Sequence, residues 1–343
     1  MTARRRRLLG TGTALCLLLA GLVAGPSSAA DRTTDKRVAV SQTKRLVVSW
    51  HGERRRRVYQ RTANVPGVGQ VDLVCRPKAT MVRIRPTNPS AETQMWMAKF
   101  EQKGGRDVVA VKNVRVYRYA NADDDGRGGT GVRAHEGLNQ LSPIEDFSKG
   151  TAYGVLSQRA SRNQPGGGAV STPVTSFQLS WWWERFRYPG SQYCRMSLAL
   201  KTDTSSQFGL SWHGSDEGAT QGTSTTTIPG VGDVTVTCDP NGTAAEQSVA
   251  FRPAGTRPDS AYLDYEYVQG EGTVDDHVDR YPDLGVDPTT GLLGPVELPR
   301  NGMMRLWVSV DGVKRGFVLS SYYVVNNAAK PWLNVCEVAA APL

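Results

Sequence analysis

Few of the residues and motifs that build familiar catalytic or metal sites occur in this chain. It has four histidines and five cysteines among 343 residues, and neither G-x-S-x-G nor H-E-x-x-H is present. No two cysteines have the C-x-x-C spacing that is typical of zinc and redox sites. We therefore expect no metal ion, no cofactor and no catalytic residue that a sequence motif would identify.

Helical periodicity is nearly absent, and long apolar runs are scarce. The longest apolar stretch, residues 8–25, follows the basic segment Arg4–Arg7 and precedes the small residues Ser28–Ala30. That order is typical of a secretory signal peptide. Gly10–Thr13 interrupt the stretch, which is shorter than the roughly 20 apolar residues of a spanning helix. The sequence predicts a signal peptide over residues 1–30 and a secreted, extracellular product with no membrane span.

An internal repeat organises the rest of the chain. The motif Ser-Trp-His-Gly at Ser49–Gly52 recurs at Ser211–Gly214, and the segment Val65–Cys75 recurs as Ile228–Cys238. The offsets are 162 and 163 residues, and further matches follow in the same order. We interpret the repeat as an internal duplication that produced two homologous domains. The predicted organisation is a polar segment 31–43, a first domain 44–200, a linker 201–205 and a second domain 206–343.

Alternation of side chains predicts strands in both copies. Val71, Leu73 and Cys75 fall on one face of an extended segment, and the second copy repeats the pattern. Other short runs rich in Val, Tyr, Phe and Trp are bounded by turn residues, and Val308–Val313 reads as a hairpin with an Asp-Gly turn. The expected fold class is all-β, with two tandem domains that resemble β-sandwiches.

The cysteines support the same division. Removal of the signal peptide leaves one early and one late cysteine in each copy, and an even number in an oxidising compartment indicates disulfides. We therefore expect one bridge within each domain, with a bridge between the copies as the alternative. The expected pairs are Cys75 with Cys194 and Cys238 with Cys336.

Charge separates the two copies. Residues 31–200 contain 28 Lys and Arg against 14 Asp and Glu, a net charge of +14, whereas residues 201–343 contain 9 against 18, a net charge of −9. The contrast is strongest just after the first Ser-Trp-His-Gly motif. The basic residues there are Arg54, Arg55, Arg56 and Arg57, followed by Arg61.

Three interpretations of this arginine-rich loop are open. It could attract a polyanion such as an anionic cell-wall polymer, an acidic polysaccharide or extracellular nucleic acid. It could instead face the acidic domain of its own chain or of a neighbour, which would allow self-association. The third interpretation is an ordinary solvated loop.

The aromatic run Trp181, Trp182 and Trp183 is the second candidate binding site. Sugars and nucleic-acid bases stack on exposed aromatic rings, and cations beside such rings favour anionic ligands. A strand alternates its faces, so at least one of the three rings must point away from the others. Ordinary strand packing is the alternative interpretation.

Three other motifs are weaker candidates. Ser49 and His51 would share a strand face, but no orienting acid is evident, and structural roles are the alternative. The acidic turn 121–126 matches the start of a calcium loop, yet position twelve is Val132 instead of Glu. Gly166–Gly168 lacks the helix and lysine of a phosphate loop and reads as an enlarged hairpin loop.

These features favour a secreted, non-catalytic binding protein whose first domain engages an anionic surface or polymer. One alternative is an extracellular structural or self-assembling protein. Another is a secreted hydrolase with a site between the domains that uses His51 or His213. On the leading hypothesis, the first domain alone should bind polyanions more tightly than the whole chain, because the acidic domain offsets its potential.

Overall fold

Antiparallel strands make up nearly all of the regular structure. A computed structural model of the chain describes residues 39–53, 57–77, 79–88, 93–103, 105–116, 149–158, 166–170, 172–184, 186–213, 222–239, 247–255, 260–268, 274–275, 278–324 and 335–343. The first ten strands are β1 (Ser41–His51), β2 (Gln60–Val65), β3 (Gly69–Arg76), β4 (Ala79–Pro86), β5 (Thr93–Lys103), β6 (Arg106–Val116), β7 (Lys149–Gln158), β8 (Gly166–Ala169), β9 (Thr175–Glu184) and β10 (Tyr193–Asp203).

The second half of the chain supplies eleven more strands within the described residues. They are β11 (Phe208–His213), β12 (Gly222–Ile228), β13 (Gly232–Cys238), β14 (Gln247–Pro253), β15 (Ala261–Val268), β16 (Val274–Asp275), β17 (Asp279–Gly285), β18 (Leu293–Glu297), β19 (Gly302–Val310), β20 (Val313–Val324) and β21 (Val335–Pro342). The predicted all-β, sandwich-like fold class is therefore confirmed.

Each half pairs one large sheet with one small sheet. The first half has a large sheet in the order β1-β10-β9-β7-β5-β6-β16 and a small sheet β2-β3-β4. Their alternating inward residues form one buried core, which includes Trp50, Val71, Met97, Leu198 and both cysteines of this half. The second half has a large sheet β17-β15-β19-β20-β21-β11-β8 and a small sheet β12-β13-β14-β18 around its own core.

A third core joins the halves through the outer faces of the two large sheets. Trp96, Tyr153 and Val155 of the first large sheet pack in one buried cluster with Met303 and Val318 of the second. The layers therefore stack in the order small sheet, large sheet, large sheet, small sheet. This packing leaves part of the first large sheet uncovered, on the side of β1, β10 and β9.

The strand order repeats between the halves. The strand order in the first large sheet is β1-β10-β9-β7-β5-β6. It corresponds, strand for strand, to the order β11-β21-β20-β19-β15-β17 in the second large sheet. Each large sheet also carries one edge strand from the other half, since β8 pairs with β11 and β16 pairs with β6. The matched order agrees with a duplication, which remains a prediction.

Each half contains its own disulfide, as expected. Cys75 bonds to Cys194 and Cys238 bonds to Cys336. Each bond links a small sheet to the large sheet beneath it. The sequence-predicted hairpin also forms, with Val310 opposite Val313 and positive φ angles of 49° at Asp311 and 79° at Gly312, as a type I′ turn requires.

Two strands extend beyond residues 44–200, the range predicted for the first domain. Strand β1 begins at Ser41, inside the predicted polar segment, and β10 continues through Lys201 to Asp203, inside the predicted linker. Among the described residues, no helix is long and apolar enough to span a membrane.

Candidate functional site

The three consecutive tryptophans separate by face, as strand geometry requires. Trp181 and Trp183 are 3% and 1% exposed and belong to the first core, whereas Trp182 is 48% exposed. Trp182 therefore points to the opposite side of β9, away from the small sheet. Of the predicted aromatic platform, only this one ring reaches solvent.

Cationic side chains flank Trp182 on both neighbouring strands. Lys149 on β7 and Arg195 on β10 are its direct partners in the ladder, and the Lys149 ammonium lies 5.5 Å from the indole centroid. The indole N–H donates a hydrogen bond of 2.7 Å to Glu184 Oε1, which fixes one edge of the ring. The exposed ring therefore lies beside two positive charges, with Lys149 over one of its faces.

The surrounding sheet surface is polar and basic. Ser49 continues the row of Lys149, Trp182 and Arg195 on β1, and Arg45 lies four residues earlier on the same face of that strand. We call the following exposed residues the basic face: Arg45, Val47, Ser49, Lys149, Thr151, Gln178, Ser180, Trp182 and Arg195. Three of these nine residues are cations, and the half-buried Glu184, bonded to the Trp182 N–H, adds a carboxylate on the same side of β9.

At one end of the basic face, the second half overhangs the first large sheet and closes a cleft of about 740 Å³. We call it the interface cleft. Arg45, Gln178, Ser180 and Ser197 form part of its floor. The other cations that line it come from the second half, Arg280 on β17 and Arg305 on β19.

Glu266 on β15 holds both overhanging arginines. The Nε of Arg305 donates a hydrogen bond of 2.6 Å to Glu266 Oε1, and the Nε of Arg280 lies 3.3 Å from Oε2. Glu266 is buried and is not part of the cleft lining. Glu266 therefore orients the two guanidinium groups from the side that faces away from the cleft, through charge-assisted contacts.

Tyr153 contributes a buried phenol to the cleft. The Arg305 guanidinium carbon lies 4.3 Å from the centroid of its ring, and the hydroxyl makes no hydrogen bond of standard geometry within the described structure. Burial raises the pKa of Tyr153 well above its usual range, and the charge of Arg305 only partly opposes that effect. The phenol therefore stays neutral and keeps its O–H as a donor.

Only part of the arginine-rich loop can be placed relative to this cleft. Arg54, Arg55 and Arg56 fall outside the described residues. Arg57 packs over the Trp50 ring at 5.5 Å and donates a hydrogen bond to the Gly52 carbonyl. Because Trp50 belongs to the first core, Arg57 and Trp182 lie on opposite sides of the large sheet.

The remaining arginine of the prediction, Arg61, is exposed on β2 of the small sheet. Among the described residues, neither Arg57 nor Arg61 lies with Trp182 on the basic face. Each group's part in ligand binding stays a prediction.

Of the two histidines considered for catalysis, only His51 has a described side chain. The Nδ1 of His51 accepts a hydrogen bond of 3.5 Å from the Glu53 backbone N–H, and its ring lies 6.4 Å from that of Tyr193. Only the backbone of His213 is described, in β11. His51 is not among the described residues that line the cleft.

No site for a metal ion is evident where side chains can be described. The acidic turn 121–126 lies outside the described residues, and in the rest no group of three His, Cys, Asp or Glu residues is arranged to hold a metal. The Gly166–Gly168 segment, expected as a loop, instead forms most of β8, paired with β11.

Sequence reasoning missed most of the cations around Trp182 and the cleft. Arg195 carried a usable signal, since the apolar Cys194, Met196, Leu198 and Leu200 fall on one face of β10 and place Arg195 on the other. No sequence signal pointed to Lys149, Arg280 or Arg305. Their positions depend on the register between paired strands and on the packing of the two halves.

The fold and surface define a class: an all-β, sandwich-like protein with two disulfides and an exposed tryptophan on a basic sheet face. No family model matches the chain, and neither curated proteins nor solved structures provide a match.

Proposed function

We propose that the protein is a secreted binding protein whose first half engages an anionic polymer through the basic face. The observation that carries this proposal is Trp182, a large ring that is 48% exposed and directly flanked by Lys149 and Arg195 on adjacent strands. An indole beside two cations can stack on a sugar ring or base while the cations contact its anionic groups.

The shape of the basic face supports a polymeric ligand. Strand β10 has 11 residues, which at about 3.3 Å per residue corresponds to roughly 35 Å of sheet. Arg45, Lys149 and Arg195 are spread over this surface instead of converging on one point. An extended anionic chain can contact all three, whereas a single small anion cannot.

The charge of the whole half acts in the same direction. The first half carries +14 and the second −9, so an approaching polyanion is attracted to the first half over a distance set by the salt concentration. The arginine-rich loop adds to this long-range attraction even though Arg57 lies on the other side of the sheet from Trp182.

Titration of the chain beginning at Asp31 with anionic polymers over a salt series tests the proposal. A sulfated polysaccharide, a polyuronate, polyphosphate and single-stranded DNA should be compared with neutral dextran. Trp182→Ala and Arg195→Ser should each weaken binding several-fold. Arg195→Ser should also reduce the dependence of affinity on salt, because one anion contact is lost.

Arg76→Ser is the matched control, because Arg76 is exposed at the end of β3 in the small sheet, and its loss changes the net charge equally. The proposal requires Arg195→Ser to weaken binding more than Arg76→Ser. Equal effects would show that only net charge matters. An absence of salt-sensitive binding to every polymer would reject the proposed function.

A further inference from the structure

The interface cleft has the size and composition of a ligand pocket. Its volume of about 740 Å³ falls within the roughly 300–1,000 Å³ that is usual for small-molecule sites. Thr151, Gln178, Ser180 and Ser197 contribute hydroxyl and amide groups to its lining, and Phe100 contributes an aromatic ring.

The three cations of the cleft come from two separate parts of the fold. Arg45 lies on the first large sheet and donates to Ser197 Oγ at 3.3 Å, while Arg280 and Arg305 overhang from the second. Glu266 neutralises only one of the three positive charges. The cleft therefore retains a positive charge that favours an oxyanion.

An unpartnered donor lies beside these cations. Tyr153 is 4% exposed, and its hydroxyl has no hydrogen bond of standard geometry within the described structure. A buried polar group without a partner costs about 1–3 kcal/mol, and a bound ligand oxygen would supply the missing acceptor. The rings of Tyr153 and Phe100, 5.7 Å apart, also offer an apolar wall for the C–H groups of a sugar.

We propose that the interface cleft binds an anionic sugar unit, a pyranose that carries a carboxylate or a phosphate. Arg45, Arg280 and Arg305 bind the oxyanion, the Tyr153 hydroxyl donates to a ligand oxygen, and the serine, threonine and glutamine side chains bind sugar hydroxyls. This inference rests on the proposed function and deepens it, because it names the unit of the polymer that the site recognises.

Titration of the chain beginning at Asp31 with glucuronate, glucose 6-phosphate and glucose, followed by NMR, tests the inference. At least one of the two anionic sugars should bind, their relative affinities identify the preferred oxyanion, and glucose should bind at least tenfold more weakly. Tyr153→Phe should weaken binding about fivefold and Arg280→Gln about tenfold, the losses expected for a neutral and a charged hydrogen bond.

Both variants should fold, because Tyr153→Phe keeps the buried ring and the Arg280 side chain is 74% exposed. Arg76→Gln is the charge-matched control and should bind like the wild type. Equal affinity for glucose, or unchanged affinity in Tyr153→Phe and Arg280→Gln, would overturn the inference.

Trp182→Ala separates the cleft from the basic face, because it should weaken polymer binding and leave sugar binding intact. If polymers bind through Trp182 but neither anionic sugar binds, the cleft inference fails and the proposed function stands. If neither polymers nor sugars bind, both fail.

Discussion

The guanidinium carbon of Arg305 lies 4.3 Å from the centroid of the Tyr153 ring, and this contact joins the acidic second half to the basic first half. Arg305 is held in turn by Glu266, and the Tyr153 ring packs in the core between the two large sheets. A cation from the half with net negative charge therefore lies over the sheet of the basic half. The net charges of the halves, +14 and −9, therefore do not give the local charge at the contact between them.

The shared core predicts that the first half is not an independent unit. Removing the second half would expose Trp96, Tyr153 and Val155, which are at most 4% exposed in the whole chain. A continuous apolar surface of this kind promotes association. Residues 44–200 expressed alone should therefore aggregate or self-associate, even though their net charge favours polyanion binding. The check is light scattering on the isolated half beside the whole chain.

Calorimetry of the whole chain provides a second check. Because the halves share a core, the chain should unfold in one cooperative transition with calorimetric and van't Hoff enthalpies in agreement. Two well-separated transitions, together with a monomeric and folded isolated half, would contradict this prediction and restore the expectation of an independent polyanion-binding domain.

The tryptophan run predicts opposite effects for neighbouring positions. Trp181→Ala and Trp183→Ala should each lower the free energy of unfolding by about 3–5 kcal/mol, because both rings are buried in the first core. Trp182→Ala should change it by less than about 1 kcal/mol and act on binding instead. Urea titration of the three variants measures this, and equal losses at all three positions would contradict the assignment of faces.

Local patterns predicted the parts of the fold that depend on neighbouring residues. The alternation of a strand separated Trp182 from Trp181 and Trp183, and Asp311 with Gly312 identified a hairpin turn. The cysteine pairs followed from their positions within the repeat. In each case the controlling interaction lies within one strand, one turn or one copy of the repeat.

The parts that were not predicted depend on long-range pairing. Nothing in the composition of Gly166–Gly168 shows that β8 joins the sheet of the other half, since glycine is equally suited to a loop. The neighbours of Trp182 required the register of β7 against β9. The interface cleft required the packing of the two large sheets, which no local pattern encodes.

Asp72 predicts a specific loss of stability in acid. Burial raises its pKa, but hydrogen bonds from Arg85, Thr62 and Arg83 outweigh burial and hold the pKa below its ordinary value. A carboxyl with a lowered folded-state pKa stabilises the protein above its unfolded-state pKa of about 4, and this contribution is lost as the pH falls through the folded-state value.

Asp72→Asn should therefore lower the free energy of unfolding at pH 7 by about 1–3 kcal/mol. Its disadvantage relative to the wild type should shrink as the pH falls below about 4. Thermal unfolding from pH 7 to pH 2 measures both effects. Asp107→Asn is the control, because Asp107 is exposed on β6. A constant difference between Asp72→Asn and the wild type at every pH would contradict the role given to this carboxylate.

The contact between Arg305 and Glu266 predicts strong energetic coupling. The side chain of Glu266 is 8% exposed and that of Arg305 is 29% exposed, so removing either one leaves a charge with reduced access to water. Arg305→Met should cost about 3 kcal/mol, because Glu266 would keep only the exposed Arg280 as a cationic partner. Glu266→Leu should cost less, since Arg305 still lies over the rings of Tyr153 and Trp307.

In the double variant, no unpaired buried charge remains at these positions, so the loss should be at least about 1 kcal/mol smaller than the sum of the two single losses. Chemical denaturation of the four proteins gives the coupling energy directly. Because the double variant lacks Arg305, one of the three cations of the cleft, it should bind anionic sugars more weakly while remaining folded. Additive losses would mean that the pair does not act as one unit, and unchanged sugar affinity would show that Arg305 has no part in the cleft.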